Sequence, residues 1–496
     1  MEENSFIDAL SRNNSITTNG MPTNANSGDA NLDLFFLIGA TRKMSDNDII
    51  TIFSKAYEEN PIYALRILFY SRDIASGLGE RRAFRVIYTW LIKQKEGLNQ
   101  ILQETNIVEN IIRVDDIVYI ANEMVKSKDL FKDEIKITIN FLLKMLNNEK
   151  FGGIVSKWMP RKNSKYSALV HYMRSNGFIK TYSEYRKMIV EKTNVVEQKM
   201  SAKNWDNINL EHVPGIALKK YKKTFAKHGL LKPFVEKVVA GEAKVHAKRL
   251  FPYDIVKEIF DKGGWNHQNI DPTNRQLLNE QWKALKDLDD LPQEYRAIPI
   301  IDVSGSMNNP NNLPISMATS LGLFLAERNP NVAFRNSFIT FSSSPAFQQI
   351  IGHDIVEKIS NMLRANWNMS TNLEAVFDLV LKKAVNNNVP NNEMPNLLLI
   401  ISDMEFNKCI NAPNDNALRM IKRMYNEHGY NIPTIVFWNV SGRINNMPVR
   451  KNDDHVLLIS GASQNVINFI FKKGYEDMLS LVLKVINQER YSHINN

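Results

Sequence analysis

One cysteine, Cys409, occurs among the 496 residues of the chain. A lone thiol excludes an internal disulfide and fits a reducing compartment. No apolar run approaches the roughly 20 residues that a membrane-spanning helix needs, so no membrane partner is expected. The opening MEENSFIDALSRNN carries acids and no long apolar core, which is not the pattern of a secretory signal. These absences lead to the expectation of a soluble, cytoplasmic protein. A GxxxxGK(S/T) phosphate loop is missing, which excludes an NTPase of that type. The nine histidines show neither HExxH nor a paired metal-ligand spacing, so His353 and His428 read as surface residues. No Ser-His-Asp arrangement can be assigned.

An apolar fraction of 44% is enough to build sizeable cores. The length suits about two to four domains. The net charge of +9 is unevenly spread: residues 151–250 hold 21 Lys+Arg against 7 Asp+Glu, whereas residues 291–496 hold 18 against 17. The basic surplus is thus one block in the middle of the chain, a pattern that suits a polyanion such as nucleic acid. The competing reading is a set of solvated, lysine-rich helix faces.

Residues 1–30 are polar and are expected to be disordered, with Asn19-Gly20 and Pro22 as breakers. Order is expected from Asn31, where LDLFFLIGATR begins. Ser45 reads as an N-cap, with Asp46 and Asp48 in the first turn of the helix that follows. Pro61 opens another helix. The turn Ser76-Gly77-Leu78-Gly79 precedes a third, AFRVIYTWLIKQK. Helical patterns continue over 100–112, 115–126, 129–147, 164–176, 182–200, 215–227, 231–249 and 252–262. Residues 31–290 therefore read as one domain of tandem amphipathic helices, an α-helical repeat of HEAT-like kind, although no clean internal repeat is visible.

From about 291 the texture changes. Strand-like runs at 298–305, 332–343, 347–351, 396–404, 433–440 and 455–460 alternate with helical stretches at 312–328, 354–363, 372–386, 414–427 and 475–489. Alternation of this sort implies a parallel sheet with helices on both faces. Ligands in such sheets bind outside the carboxyl ends of the strands. The stretch AIPIIDVSGSM (297–307) ends its apolar run in Asp302, with Ser304 and Ser306 following at alternate positions. The run NLLLIIS ends in Asp403, with Glu405 close behind. The stretch NWNMSTN supplies Ser370 and Thr371 just before a helix. Carboxylates and hydroxyls are hard oxygen ligands of the kind Mg²⁺, Mn²⁺ or Ca²⁺ prefers.

Asp302-x-Ser304-x-Ser306, then Thr371, then Asp403 resembles the metal-ion-dependent adhesion site (MIDAS) of von Willebrand factor A domains. The match covers roughly 295–490, within an expected domain of 291–496. The resemblance implies a Rossmann-like α/β fold with a parallel sheet. It also implies a divalent cofactor, Mg²⁺ first, held by the hydroxyls of Ser304, Ser306 and Thr371. Asp302 and Asp403 would act largely through bound waters, and a partner's carboxylate would fill the open position. Two departures stand out: Met369-Ser370 where that family usually has a glycine, and Glu405, an extra carboxylate that could satisfy the ion internally. A haloacid-dehalogenase phosphatase would need a second Asp where Ser304 stands, so that chemistry lacks its general acid/base. A nuclease built on Asp302, Asp403 and Glu405 is the remaining catalytic alternative, and no enzymatic activity is expected.

In the helical half, Arg72-Asp73 followed by Gly77-Leu78-Gly79-Glu80-Arg81 resembles the signature of the TROVE module. That module belongs to the Ro ribonucleoprotein autoantigen and to telomerase- and vault-associated proteins. The whole chain resembles an uncharacterised family of eukaryotes and large DNA viruses with the same pairing of parts, through LDLFFLIG, Lys157-Trp158-Met159-Pro160 and Asp302–Met307. The distant resemblance to Ro implies RNA binding. The basic stretches KWMPRKNSKY (157–166) and KKYKKTFAKH (219–228) interleave aromatics with Lys157, Arg161, Lys162, Lys219, Lys220, Lys222 and Lys223. Such interleaving suits backbone neutralisation with stacking. Arg72, Arg81 and Arg82 are further candidates for phosphate contacts. The expected function is a non-catalytic RNA-binding scaffold. The alternative is a protein-interaction adaptor that clamps an acidic partner residue through the metal, alongside an AAA+ ATPase by precedent.

Overall fold

The computed structural model describes residues 14–94, 105–127, 132–263, 270–288, 292–308, 311–341, 344–364, 370–411, 413–472 and 477–494. The chain divides into two units, Met1–Ile67 with Lys232–Gln488, and Leu68–Leu231 with Glu489–Asn496. Of the helical domain expected over 31–290, residues 31–67 and 232–290 fall in the first of these units, with the sheet.

In the first unit, strands β1 (Asn14–Ile16) and β2 (Pro22–Asn24) pair antiparallel. The Asn19-Gly20 breaker is the turn of this hairpin, with Gly20 at φ +88°. The expectation of disorder over 1–30 thus fails for the described residues 14–30. Their polar side chains find partners: Thr17 Oγ1 donates to Phe406 O at 2.7 Å and Thr23 Oγ1 to Met447 O at 2.8 Å. Low hydrophobicity alone does not expose a segment whose hydrogen bonds are met.

Strands β3 (Ala297–Asp302), β4 (Ser337–Phe341), β5 (Ala346–Gln349), β6 (Leu397–Ser402), β7 (Thr434–Asn439) and β8 (Val456–Ser460) form one sheet in the order β5-β4-β3-β6-β7-β8. Only β5 runs antiparallel to its neighbour. Every residue of β3 and β6 is buried, as continuous apolar runs require when both faces are covered. After β3 the chain moves outward to β4 and β5, then returns to β6 on the other side of β3. The carboxyl ends of β3 and β6 consequently flank the point where the strand order reverses, the place where ligands enter such sheets. Strand β4 begins later than the expected run 332–343, because Asn336 adopts φ +62° and breaks the extended conformation before Ser337.

Helices cover this sheet closely. Leu313–Glu327 is buried along most of its length, and a Cβ at its Gly322 would stand 2.2 Å from Ile301 Cδ1. The apolar helix Ala30–Ile38, capped by Asp29, lies against β8. A Cβ on the following Gly39 would meet Gly461 N and the Ser460 carbonyl carbon at 2.7 Å, so the close approach needs glycine. Pro252–Gly263 packs on Leu313–Glu327. Trp282, in a helix (Pro272–Lys283) that the sequence reading did not find, donates from Nε1 to Glu327 at 2.7 Å.

The second unit is helical. Arg81–Leu91, Val114–Lys126, Lys132–Asn147, Gly152–Trp158, Ser167–Ser175, Tyr182–Lys192 and Gly215–Lys227 supply most of it. The expected helix 182–200 is interrupted at Thr193, an extended C-cap. The helix expected over 231–249, which falls almost wholly in the first unit, stops at Val239, before Gly241 at φ +78°. Residues 100–104 of the expected helix 100–112 lie outside the described residues. Among the described residues no helix is long and apolar enough to cross a membrane.

Candidate functional site

The site at the ends of β3 and β6 begins with Asp302, fully buried as the last residue of its strand. Its Oδ1 accepts from Ser304 N at 2.9 Å and its Oδ2 from Ser402 Oγ at 2.5 Å. The hydroxyls of Ser304 and Ser306 are 3.1 Å apart, and Ser306 also hydrogen-bonds Asp403. Asp403 is buried, and its Oδ1 accepts from Glu405 N at 3.2 Å. Met404 between them holds φ +65°, a left-handed conformation that a bulky side chain rarely adopts. Burial first, and then the charge of Asp403, pushes the Asp302 carboxyl above its ordinary range, while burial does the same to Asp403. Two adjacent buried carboxylates resist ionising together unless a cation joins them.

The second loop reaches the third through Thr371, whose carbonyl accepts from Asn407 N at 3.0 Å. Thr371 is buried, and the neighbouring Ser370 Oγ is buried without a hydrogen-bond partner among the described residues. Asn366–Met369 of that loop lie outside the described residues. Paired buried carboxylates and hydroxyl oxygens are the donor chemistry that a hard divalent ion takes. Among the described residues no group of three or more His, Cys, Asp or Glu could hold a metal, so hydroxyls have to complete any donor set here. Ser304, Ser306 and Thr371, with Asp302 and Asp403 behind them, could do so.

Glu405 is turned to other work. Its Oε2 accepts from Thr18 N at 2.5 Å, its Oε1 from Asn446 Nδ2 at 3.1 Å, and Arg443 Nε lies 3.4 Å from Oε1. The sequence reading missed Thr18, Asn446 and Arg443 because they come from opposite ends of the chain. It also missed Lys43, whose ammonium is held below its ordinary range by burial and is attracted by Asp403. Cys409 is buried, with its thiol pushed up to about 12 by desolvation.

The basic residues of the helical unit fall into three groups. Arg72 is fully buried, with Nε 2.7 Å from Asp116 Oδ2. Its proposed phosphate contact is therefore corrected: it is a core ion pair, shared with Arg85, whose Nε is 2.7 Å from Asp116 Oδ1. Lys222 is buried as well, which removes it from any exposed surface. The remaining residues are half-buried or exposed. Arg81 Nε is 3.9 Å from Asp115, and Arg113 Nε is 3.2 Å from the same carboxylate. The Arg113 guanidinium lies 5.1 Å from the ring centre of Trp158, and Lys157 Nζ lies 5.6 Å from it. Lys157 Nζ is 3.2 Å from Glu197, which also accepts from Tyr221 Oη at 3.2 Å. Lys220 rests on the Tyr221 ring at 4.8 Å, and Lys162 on Tyr182 at 4.8 Å. Burial works against the Glu197 charge, but its own backbone N–H, Lys157 and Tyr221 hold it below the usual range. A connected line of side chains thus joins Arg81, 157–158 and 220–221, three stretches far apart in sequence. Arg82 and Lys223 are exposed, Lys219 and Arg161 half-buried. Burial and Arg186 keep the Arg161 guanidinium below its ordinary range.

These features define a two-unit protein: a basic helical unit, and an α/β unit with an Asp-x-Ser-x-Ser loop at the reversal of its sheet. Residues 17–137 and 154–292 match the model of the family described as Domain of unknown function (DUF2828), and the chain belongs to that family. Residues 296–493 match the model described as Domain of unknown function (DUF7788). The chain is similar to the uncharacterized protein L728 of Acanthamoeba polyphaga mimivirus, 28% identical over 518 residues, which covers 96% of this chain and 87% of that protein.

Proposed function

We propose that this chain is a non-catalytic RNA-binding scaffold of Ro type, with a divalent-metal site in its α/β unit. The observation that carries the RNA reading is the line of side chains from Arg81 through Arg113, Trp158, Lys157, Glu197 and Tyr221 to Lys220. It brings four cations and two aromatic rings together around the carboxylates Asp115 and Glu197, and cations with rings are the chemistry that neutralises phosphates and stacks bases. The tandem helices of that unit are consistent with a TROVE-like, HEAT-like repeat. In the α/β unit, the strand order and the placement of Asp302, Ser304, Ser306, Thr371 and Asp403 support a von Willebrand factor A domain with an adhesion-type site. Mg²⁺ would be the first choice of ion, with Mn²⁺ or Ca²⁺ also suited. An ion held chiefly by neutral hydroxyls stays electrophilic toward an added carboxylate.

That last property favours a second reading, a protein-interaction adaptor whose ion takes an acidic side chain of a partner. Glu405 does not compete for the ion in this arrangement, because Thr18, Asn446 and Arg443 hold it. Charge reversal of the exposed Lys220 and Lys223 separates the two readings. On the RNA reading it weakens binding to single-stranded RNA and lowers the slope of log K against log salt, by about 0.7 for each phosphate that is no longer neutralised. An unaltered slope would remove this face from the account.

A further inference from the structure

We propose that Arg81 and Arg113 together form a phosphate-binding site for the backbone of single-stranded RNA, a site that rests on the RNA reading above. Among the described residues, four guanidiniums, those of Arg72, Arg81, Arg85 and Arg113, pair with two carboxylates, Asp115 and Asp116. The carboxylate oxygens are largely committed. Asp116 accepts from Arg72 Nε at 2.7 Å, Arg85 Nε at 2.7 Å and the Arg113 backbone N–H at 3.1 Å. Asp115 Oδ2 accepts from Arg85 at 2.7 Å. What remains for the two outer arginines is loose: Arg81 at 3.9 Å, and Arg113 at 3.2 Å from an Asp115 Oδ1 that, among the described residues, accepts no aligned hydrogen bond.

The surplus charge lies where solvent reaches it, since the side chains of Arg81 and Arg113 are 50% and 39% exposed. Beneath them, Arg72 Nη2 is buried with no partner among the described residues. Burial, together with the neighbouring guanidiniums of Arg81 and Arg72, holds Arg113 below its ordinary range despite Asp115. An anion arriving here would relieve that repulsion. Phosphate matches the donors best, because its oxygens can accept from two planar forks at once. Trp158 braces the Arg113 guanidinium at 5.1 Å, so less side-chain freedom is lost on binding. The position also continues directly into the cation and ring series of 157–158, where the next nucleotides of a bound strand would run.

The test is fluorescence anisotropy of a labelled oligouridylate with the full chain, at several salt concentrations, for wild type, Arg113→Gln, Arg113→Lys and Arg81→Gln. Each Gln variant is expected to bind roughly tenfold more weakly and to lower the salt slope by about 0.7. Arg113→Lys keeps the slope, because it keeps the charge, while losing affinity with the fork. Arg81 is exposed, so its variant reports on the site even where Arg113→Gln lowers the melting temperature. If wild type binds with a steep slope and both Gln variants keep its affinity and slope, this site is wrong while the RNA reading stands. If wild type does not bind even at low salt, both fall.

Discussion

The proposed metal site depends most on Asp302. This side chain is buried with no ion-pair partner among the described residues, next to a second buried carboxylate, and its hydrogen bonds from Ser304 and Ser402 only partly compensate. Adding Mg²⁺ is therefore expected to raise the melting temperature of the wild type in a concentration-dependent way. Asp302→Ala is expected to lose that response and the heat of binding in calorimetry, and an unchanged affinity would remove Asp302 from the site. Arg72 is the opposite case. The sequence presents it as one more cation beside a turn, yet it lies in the core against Asp116. Arg72→Ala is expected to cost about 3–5 kcal/mol of stability in a denaturant titration, as the loss of one buried partner does. Arginine in an amphipathic helix looks the same on either face, and only the register of helix packing decides which guanidiniums are buried.

At the scale of elements, the α/β order, the strand runs and the loops after β3 and β6 were legible because apolar runs ending in polar residues are local signals. The hairpin at 14–24 was not, since its stability comes from loops about 390 to 425 residues away in sequence rather than from its own composition. The boundary at 290 follows the change of texture, but helices 252–263 and 272–283 pack onto Leu313–Glu327 and its surroundings, a choice that periodicity cannot register. The helix Ala30–Ile38 carries its own pH dependence. Burial pushes Asp33, in its first turn, from 3.8 up to about 6, against the hydrogen bond from Ser27 N. The folded state then binds this proton more tightly than the unfolded state, so its contribution to stability falls as pH rises from about 4 to 6. Asp33→Asn, which keeps the acceptor, is expected to raise the melting temperature at pH 7 and to leave it nearly unchanged at pH 4. Equal effects at both pH values would rule out burial of that charge as the cause.

At the scale of the whole molecule, the uneven charge distribution acquires a physical form. Part of the central surplus is neutralised inside the helical unit or buried, as Lys222 is. Lys157 and Lys220 of that block join Arg81 and Arg113 in a line of cations, acids and rings that no single stretch of sequence contains. The central proposal is that this line binds the RNA backbone, while an ion proposed for the α/β unit serves another partner. The most direct test is a salt titration of wild-type binding to generic single-stranded RNA, with and without Mg²⁺. The account predicts a steep fall of log K with log salt that Mg²⁺ alters only through ionic strength. Absence of binding at moderate salt, or binding that requires the ion, would contradict it and transfer the weight to an acidic protein partner at the metal.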